Sequence, residues 1–423
     1  MKIIRSAKKS DTVAVLDLGT SKTACFIGHK DAHFGFRLLG AGIAESAGVK
    51  NGAVIDLAAA EDGIRAAVAK AERDAGVAVQ SVSVNVSTRS LRSQHLTVQT
   101  AFASGEVADR DLKRVVNSSL AELAQADYAI LHALPLTWSV DEERGIRDPR
   151  GMFGQTLGVD MHFVLAGVGP LRNLAHCVER SHLRISSVTV SPYAAGLAVL
   201  TDDERDLGAT IIDMGGGITT AAVFRDNALI HVEAISVGGR NVTTDLARGL
   251  TTPFEAAERI KRIYGSALHG SDDDRYVVPC PPMGAQDELH EQPRTLVTSI
   301  VRSRIEETLE ILKDRLAEAG LDQYSGRRIV LTGGGAQLNG VRELAEYVFN
   351  KRTRIGHPHG ILGLDETFAG PDFAVGLGLI KHAFMESDEA ITGPPDLSGR
   401  RYRKRRYAGG GFGRSLHWLK ENF

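Results

Sequence analysis

The clearest pattern along the chain is a short apolar run that ends in an acidic residue and a turn. Residues 13–16 are all apolar, Asp17 closes the run, and Gly19 then precedes two hydroxyl residues and a lysine. A run this short before a glycine predicts a buried strand that ends in a tight turn. The backbone N–H groups of such a turn suit a phosphate, and the carboxylate suits a hydrated Mg²⁺ ion.

The same pattern returns in the second half of the chain. The largely apolar residues 209–212 run into Asp213, and Gly215–Gly217 follow before two threonines. Two α/β halves built on one repeated motif would face each other, clamp a phosphate chain and aim two carboxylates at one cation. Chance recurrence of glycine turns is the alternative at this point.

Other stretches alternate between strand and helix patterns. Residues 81–87 alternate with period two, which predicts a half-buried strand. Residues 127–134 predict a strand that ends at Pro135, because proline cannot donate to a sheet. Residues 202–206 predict an acidic turn, and the proline-rich residues 270–295 predict an exposed loop or ragged strands.

Residues 88–165 have a different character from their surroundings. Strand patterns flank a helix with a charged face there, and the segment separates residues 11–87 from a helix and strand that resume near residue 166. We interpret it as a small α+β module inserted into the first domain. The alternative is that it continues that domain.

Two further glycine turns and one charged pair complete the set of candidate site residues. Gly238 and Gly239 open a helix, where free backbone N–H groups suit an anion. Glu258 and Lys261 are three residues apart on a predicted helix, so they share a face, and a surface ion pair is the alternative. Gly333–Gly335 end another apolar strand and would let a planar ring approach the backbone.

Composition narrows the class of protein without identifying it. The chain has 423 residues, enough for two or three domains, with a formal net charge of −2 that carries no global nucleic-acid signature. Its three cysteines are far apart, which favours a reduced, cytosolic chain. No apolar run reaches the roughly 18 residues of a membrane span, and the first ten residues do not resemble a secretory signal.

The C-terminal end combines a basic run with an amphipathic pattern. Six of the seven residues 400–406 are basic. An apolar stripe with a tryptophan at its edge and two cations off it follows: Phe412, Leu416, Leu419, Phe423, Trp418, Arg414 and Lys420. A short basic helix of this kind predicts attachment to an anionic membrane surface. Docking on the chain's own domain or on a partner is the alternative, and a single basic run does not favour nucleic acid.

The ordered set of turns resembles the actin-like ATPase superfamily over residues 11–385. Within it, the chain is similar to the FtsA family of bacterial division proteins in the inserted module, in Gly145–Pro149, in Ile329–Gly340 with Arg354–Gly356, and in the terminal helix after a linker. The resemblance implies an α/β, actin-like two-domain fold with duplicated ribonuclease-H-like halves around a nucleotide cleft, plus the α+β module of the SHS2 type.

The same resemblance divides the chain into segments. The first domain comprises 11–87 and 166–203, with 88–165 inserted, and the second comprises 204–244 and 326–385, with 245–325 as its subdomain. Residues 1–10 form a flexible N-terminus, 386–411 a basic flexible linker, and 412–423 the membrane-targeting helix.

The resemblance also implies roles for residues, with ATP and Mg²⁺ as cofactors. Asp17 and Asp213 would hold Mg²⁺ through water. The phosphates would be cradled by Gly19, Thr20, Ser21 and Lys22 from one side and by Gly215, Gly216, Gly217 and Thr219 from the other. Gly238 and Gly239 would lie near the ribose and the α-phosphate. Glu258 and Lys261 would flank ribose and adenine, and the adenine would be backed by Gly333, Gly334 and Gly335.

One departure concerns hydrolysis. Chaperone ATPases and MreB have Glu-Pro-x-Ala-Ala where this chain has Ser191-Pro192-Tyr193-Ala194-Ala195. A serine cannot replace glutamate as a general base near neutral pH. We therefore expect ATP binding with at most slow hydrolysis, and we name no catalytic residue.

The function implied by the resemblance is division. The chain would polymerise, tether the FtsZ ring to the cytoplasmic face of the inner membrane at the septum, and recruit later division proteins. The FtsZ C-terminal peptide would dock on the 245–325 subdomain, with Arg294 and Arg302 as candidate contacts. A pilus-assembly adaptor and a small-molecule kinase are the alternatives.

Overall fold

The protein is described by a computed structural model of residues 11–31, 35–102, 105–123, 127–271, 273–284, 289–321, 328–385, 389–390 and 394–395. The predicted membrane helix, residues 412–423, lies outside these described residues, as does most of the predicted linker. No helix of the described part is long and apolar enough to cross a membrane.

The first half begins with a three-stranded antiparallel unit. Its elements up to the module are β1 (Thr12–Leu18), β2 (Lys22–Asp31), β3 (Gly35–Glu45), β4 (Val49–Lys50), β5 (Ala53–Val54), α1 (Leu57–Ala75) and β6 (Ser81–Val86). Asp56 caps α1 by accepting a hydrogen bond from the Ala59 amide, which satisfies one of the free N–H groups at the helix start.

The module has a sheet of its own. It contains β7 (Arg92–Ala101), α2 (Asp109–Leu123), β8 (Tyr128–Val140), β9 (Glu143–Ile146) and β10 (Thr156–Gly167), with strand order β7-β10-β8-β9. The prediction that β8 ends at Pro135 was wrong. Pro135 pairs with Met161 beside a register shift, and such an irregularity accommodates a residue that lacks an N–H.

The chain then returns to the first half through α3 (Val168–Arg180), β11 (Arg184–Val190), α4 (Ser191–Val199) and α5 (Asp202–Leu207). The acidic turn predicted at 202–206 is instead the short helix α5. Thr201 and Glu204 form a capping box at its start. The buried Glu204 also accepts hydrogen bonds from Arg328 and Arg354, so the acidic cluster is part of the packed structure.

The second half repeats the opening and adds a helical subdomain. Its elements are β12 (Ala209–Met214), β13 (Thr219–Arg225), β14 (Ala228–Ile235), α6 (Gly239–Gly249), α7 (Phe254–Tyr264), β15 (Val277–Cys280), β16 (His290–Pro293), α8 (Arg294–Glu318), β17 (Arg328–Thr332), α9 (Val341–Phe349), β18 (Arg352–Ile355), β19 (Ile361–Leu362) and α10 (Ala374–Phe384). The ragged strands predicted in 270–295 form the β15–β16 hairpin.

The two large sheets have matching topology. The first has strand order β11-β6-β1-β2-β3-β19, and the second has β14-β13-β12-β17-β18. In each, an antiparallel three-stranded unit continues into parallel strands beyond its first member. The duplication suggested by the two acidic turns is therefore present in the tertiary structure.

Helices α4 and α10 lie between the two sheets. One apolar core includes Val15 and Phe26 of the first sheet, Ile211 of the second, and both helices. The helices touch so closely that a Cβ on Gly378 would lie 1.7 Å from the Ala194 carbonyl oxygen. This shared core holds the turn after β1 and the turn after β12 at the same edge of the molecule.

Candidate functional site

The two acidic turns have the same backbone geometry. The Gly19 amide donates to the Lys22 carbonyl at 3.0 Å, and the Gly215 amide donates to the Ile218 carbonyl at 3.0 Å. Each turn joins the first two strands of its antiparallel unit. The repeated sequence pattern therefore encodes one repeated hairpin.

The two hairpin turns meet each other directly. A Cβ on Gly216 would lie 2.2 Å from Ser21 Oγ, and one on Gly217 would lie 2.7 Å from Thr20 Oγ1. A Cβ at either position would force the facing hydroxyl to move, so glycine permits the close approach of the two halves. The facing turns predicted from the repeat are present.

A buried network holds Asp17 at the end of β1. The Asn85 Nδ2 group donates to Asp17 Oδ1 at 2.8 Å and lies 3.1 Å from Ser191 Oγ, while Asn85 Oδ1 accepts from the Leu18 amide at 2.7 Å. Burial raises the pKa of Asp17 to about 6, although the nearby Lys22 opposes the shift. Ser191 thus lies beside Asp17, in the same network.

The second carboxylate, Asp213, is equally enclosed. Burial and the neighbouring charge of Asp17 raise the pKa of Asp213 to about 7. A Cβ on Gly333, whose φ is +82°, would lie 2.4 Å from Asp213 Oδ1. Two buried carboxylates that disfavour each other's charge suit a hydrated divalent cation, so the residues fit Mg²⁺.

Lys22 has a partner that the sequence did not indicate. Its ammonium forms an ion pair with Asp372 and lies 3.4 Å from the centroid of the Phe373 ring. Asp372 also accepts a hydrogen bond from Gln337 at 3.1 Å. The Lys22 ammonium, which we expected at the phosphates, is therefore shared with the carboxylate of Asp372, 350 residues away in the chain.

The Gly238–Gly239 turn packs on the second hairpin. The Gly239 amide donates to the Gly215 carbonyl at 2.9 Å, and the Arg240 amide donates to the Gly216 carbonyl at 2.8 Å. The hydroxyl of Thr219 donates to the Val237 carbonyl at 2.8 Å, so this candidate phosphate ligand also braces the turn.

Glu258 and Lys261 lie against the same turn. The Lys261 ammonium is 2.6 Å from Glu258 Oε2, 2.8 Å from Thr243 Oγ1 and 3.1 Å from the Gly239 carbonyl. Burial lowers the pKa of Lys261, whereas the hydrogen bond that Lys261 donates to Glu258 opposes that shift. The pair therefore shares a helix face, as predicted, and is partly buried rather than a free surface pair.

The fourth glycine turn, Gly333–Gly335, completes the set. Gly333 abuts Asp213, Gly335 would place a Cβ 2.9 Å from that of Met214, and Gly334 lies near Asp372. Asp213 pairs in register with Thr332 across the parallel β12–β17 ladder. The structure thus brings together all four glycine turns and both carboxylates, which are distant in sequence.

Sequence reasoning missed Asn85, Asp372 and Thr243. Asn85 stands in the period-two run at residues 81–87, but only the structure shows that Leu16 pairs with Val84 across the parallel β1–β6 ladder, which brings Asn85 beside Asp17. The strand ends alone did not show which strands are neighbours. Asp372 and Thr243 had no local signal, because their contacts form only when remote segments pack.

The two candidate arginines lie elsewhere, on α8. Arg294 Nε is 3.5 Å from Asp273 Oδ1, and Arg302 Nε is 3.4 Å from Glu306 Oε2. A separate open groove of about 540 Å³ between α6 and α8 is lined by Asp245, Arg248, Ser299, Ile300, Ser303, Arg304 and Glu307. These residues belong to a surface of the subdomain and not to the paired turns.

Comparison with known proteins first defines the class. The fold matches the PilM–PilN type IV pilus biogenesis complex with a TM-score of 0.62 and 17% identity, over 89% of this chain and 99% of that one. It matches MreB 5 of Spiroplasma citri, determined bound to AMPPNP, with a TM-score of 0.53 and 13% identity, over 88% of this chain and 96% of that one. The protein therefore has an actin-like two-domain fold with an inserted α+β module.

Sequence comparison then defines the family. The family model for cell division protein FtsA matches residues 210–378, and the model for the SHS2 domain inserted in FtsA matches residues 88–165. The chain is 43% identical to cell division protein FtsA of Rhizobium meliloti, over 99% of this chain and 96% of the relative. It is 29% identical to FtsA of Escherichia coli K12, over 88% and 90%. The chain belongs to the FtsA family of cell division proteins.

Proposed function

We propose that this chain is an ATP-binding, actin-like division protein that polymerises and tethers the FtsZ ring to the cytoplasmic face of the membrane at the septum. The single observation that carries the proposal is the pair of hairpin turns with their buried carboxylates, set in a chain of the FtsA family. The proposal includes the domain boundaries that the resemblance to the FtsA family implies.

ATP and Mg²⁺ are assigned to the paired turns by their chemistry. The glycines and hydroxyls of Gly19–Ser21 and Gly215–Gly217 offer close backbone approach to phosphates. Asp17 and Asp213 would hold hydrated Mg²⁺, which supplies charge neutralisation when bound. Lys261 and Glu258 lie beside the Gly239 turn, where ribose and adenine would sit.

Hydrolysis is expected to be slow. Ser191 accepts a hydrogen bond from Asn85 at the position where related ATPases have glutamate, and a hydroxyl is a poor base near neutral pH. Nucleotide binding would stabilise the closed arrangement and the filament by mass action. Slow phosphate release that is unchanged by Ser191→Ala supports this view, whereas rapid release abolished by that change contradicts it.

Membrane attachment rests on the sequence of the C-terminal end. Six basic residues at 400–406 could contribute about 1 kcal/mol each near anionic lipid, and the stripe Phe412, Leu416, Leu419 and Phe423 would enter the interface. Full-length protein should co-sediment with anionic vesicles, and a chain ending at Gly411, which keeps the basic run but loses the apolar stripe, should co-sediment much less. Equal sedimentation of the two would exclude the tail as the anchor.

The partner surface for FtsZ is assigned to the 245–325 subdomain. The α6–α8 groove places Arg248 and Arg304 beside two acidic side chains, and Arg302 lies on the same helix α8. Such mixed charge suits a peptide with acidic and apolar positions. The inserted module would carry self-assembly and contacts with later division proteins.

The partner proposal is tested by co-sedimentation with FtsZ filaments. Arg302→Glu should weaken binding, while Arg172→Glu on α3, outside the subdomain, is the matched control. Binding that is insensitive to both changes would exclude the α8 face. A version ending at Gly411 separates this result from membrane attachment.

A further inference from the structure

One carboxylate beyond the last helix is buried between two histidines. Glu389 Oε2 lies 2.9 Å from His132 Nδ1, and Glu389 Oε1 lies 3.2 Å from His382 Nε2. The Glu389 side chain is 5% exposed and that of His132 is 1% exposed. None of these residues takes part in the paired turns.

The three side chains join separate parts of the fold. His132 belongs to β8 of the inserted module, His382 belongs to α10, and Glu389 follows α10 by five residues in sequence. Strand β11 completes the cluster, because the Val190 amide donates to His132 Nε2 at 3.1 Å and Thr189 Oγ1 is 3.0 Å from His382 Nδ1.

A backbone contact reinforces the same attachment. The Ala390 amide donates to the Ala133 carbonyl of β8 at 2.8 Å. Ala390 also packs against the apolar core of the module. The side chain of Glu389 and the backbone of its neighbour therefore hold one short segment on β8.

The hydrogen bonds define the protonation of His132. Its Nε2 atom accepts from the Val190 amide, so Nδ1 carries the proton and donates to Glu389. A metal on Nδ1 would require that proton to leave while Nε2 still accepts a hydrogen bond. The cluster is thus built for hydrogen bonding to a carboxylate rather than for a metal ion.

The carboxyl group of Glu389 favours its ionised form despite its burial. Burial opposes ionisation, but His132 and then His382 hold the pKa of Glu389 well below its usual range. The Tyr193 ring packs on both histidines, at 5.3 Å from each. An uncompensated carboxylate in this position would be costly, so the two histidine donors are needed together.

We propose that Glu389 fastens the start of the C-terminal segment, residues 389–390, to strand β8 of the inserted module, and we call this attachment the clasp. The segment therefore leaves the molecule from β8 and not from the end of α10. The clasp goes beyond the proposed function and does not require a membrane. One consequence of the clasp does rest on the proposed function: a force on a membrane-attached tail would be transmitted to the inserted module and to α10 together.

The test measures hydrogen exchange of peptides containing Ala390 in the full chain, without lipid. Glu389→Ala should speed exchange at Ala390 at least about tenfold, and Glu389→Gln, which keeps one acceptor, should have a smaller effect. Glu366→Gln, at an exposed glutamate, is the control. Unchanged exchange in Glu389→Ala, or an unprotected Ala390 amide in the parent chain, overturns the clasp.

Two further readouts keep the outcomes distinct. Addition of Zn²⁺ should leave the melting temperature unchanged, and a rise that Glu389→Gln abolishes would replace the clasp with a metal centre. Sedimentation of Glu389→Ala with anionic vesicles should equal that of the parent. Failure of the membrane proposal would therefore leave the exchange result standing.

Discussion

The turn after Asp17 and the turn after Asp213 are closed by the same backbone hydrogen bond, but different groups hold each turn in place. In the first, Asn85 binds Asp17, and Lys22 pairs with Asp372. In the second, Thr332 occupies the neighbouring strand beside Asp213, but its hydroxyl lies near the Gly356 and Pro371 carbonyls. Gly333 approaches Asp213 instead, because a Cβ on Gly333 would lie 2.4 Å from Asp213 Oδ1.

This difference shows how one motif can be stabilised in two ways. Polar side chains position the first turn, so it depends on hydrogen bonds that substitution can remove individually. Close packing of backbone positions the second, so it depends on the absence of side chains. The comparison leads to four predictions, each based on matched changes in the two halves.

The largest effect is expected from the carboxylates. Asp17→Asn and Asp213→Asn should each weaken Mg²⁺-dependent ATP binding by about 10- to 100-fold, because each removes a charge-assisted interaction of about 1.5–3 kcal/mol. Titration with a fluorescent ATP analogue, with and without EDTA, measures the effect. An equal loss of ATP affinity in the presence of EDTA would show that the two carboxylates do not act through Mg²⁺.

The second prediction concerns pH in the absence of metal and nucleotide. Both carboxyls have folded-state pKa values above the ordinary 3.8, at about 6 and about 7, so folding takes up protons between these limits. Stability should therefore fall by several kcal/mol as pH rises from 4 to 7, because each unit by which a carboxyl pKa exceeds 3.8 corresponds to about 1.4 kcal/mol. Urea unfolding of the Asp17→Asn/Asp213→Asn variant should show a flatter pH profile.

The third prediction compares the turn glycines. A Cβ at Gly215 would lie 2.7 Å from the Ile218 carbonyl, and one at Gly19 would lie 2.9 Å from the Lys22 carbonyl. Gly215→Ala should destabilise the protein by about 2 kcal/mol and Gly19→Ala by about 1 kcal/mol, since overpacking costs about 1–3 kcal/mol. Thermal unfolding orders the two variants, and the reverse order would contradict the backbone-packing account.

The smallest effect is expected at the strand-end polar residues. Asn85→Ala should cost about 1.5 kcal/mol of stability and also weaken ATP binding, because the Asp17 carboxylate loses its donor. Thr332→Val should cost about 1 kcal/mol and leave ATP binding unchanged, since its hydroxyl does not serve Asp213. Equal loss of ATP binding in both variants would remove the distinction between the halves.

Local patterns predicted most of the architecture. The apolar runs before Asp17 and Asp213, and the period-two run at 81–87, gave strands whose ends agree with the structure to within about two residues. Two local predictions were wrong for local reasons. A bulge accommodates Pro135 in β8, and a capping box turns 202–206 into a helix.

The site was predictable only in part. Glycine, aspartate and hydroxyl residues marked the turns because their chemistry is visible in the sequence at the turn itself. Partners such as Asn85 for Asp17 and Asp372 for Lys22 were not visible, because parallel pairing and packing between the halves bring them together.

The sequence by itself determined the repeated strand–turn–strand motif, the serine at position 191, the inserted module and the basic amphipathic tail. Each is a local property of residue type and spacing. Tertiary structure alone decided that the two turns touch, that each turn has a different support, and that Glu389 lies between His132 and His382. Most of those contacts join residues far apart in the chain, such as His132 and Glu389, and no local pattern specifies them.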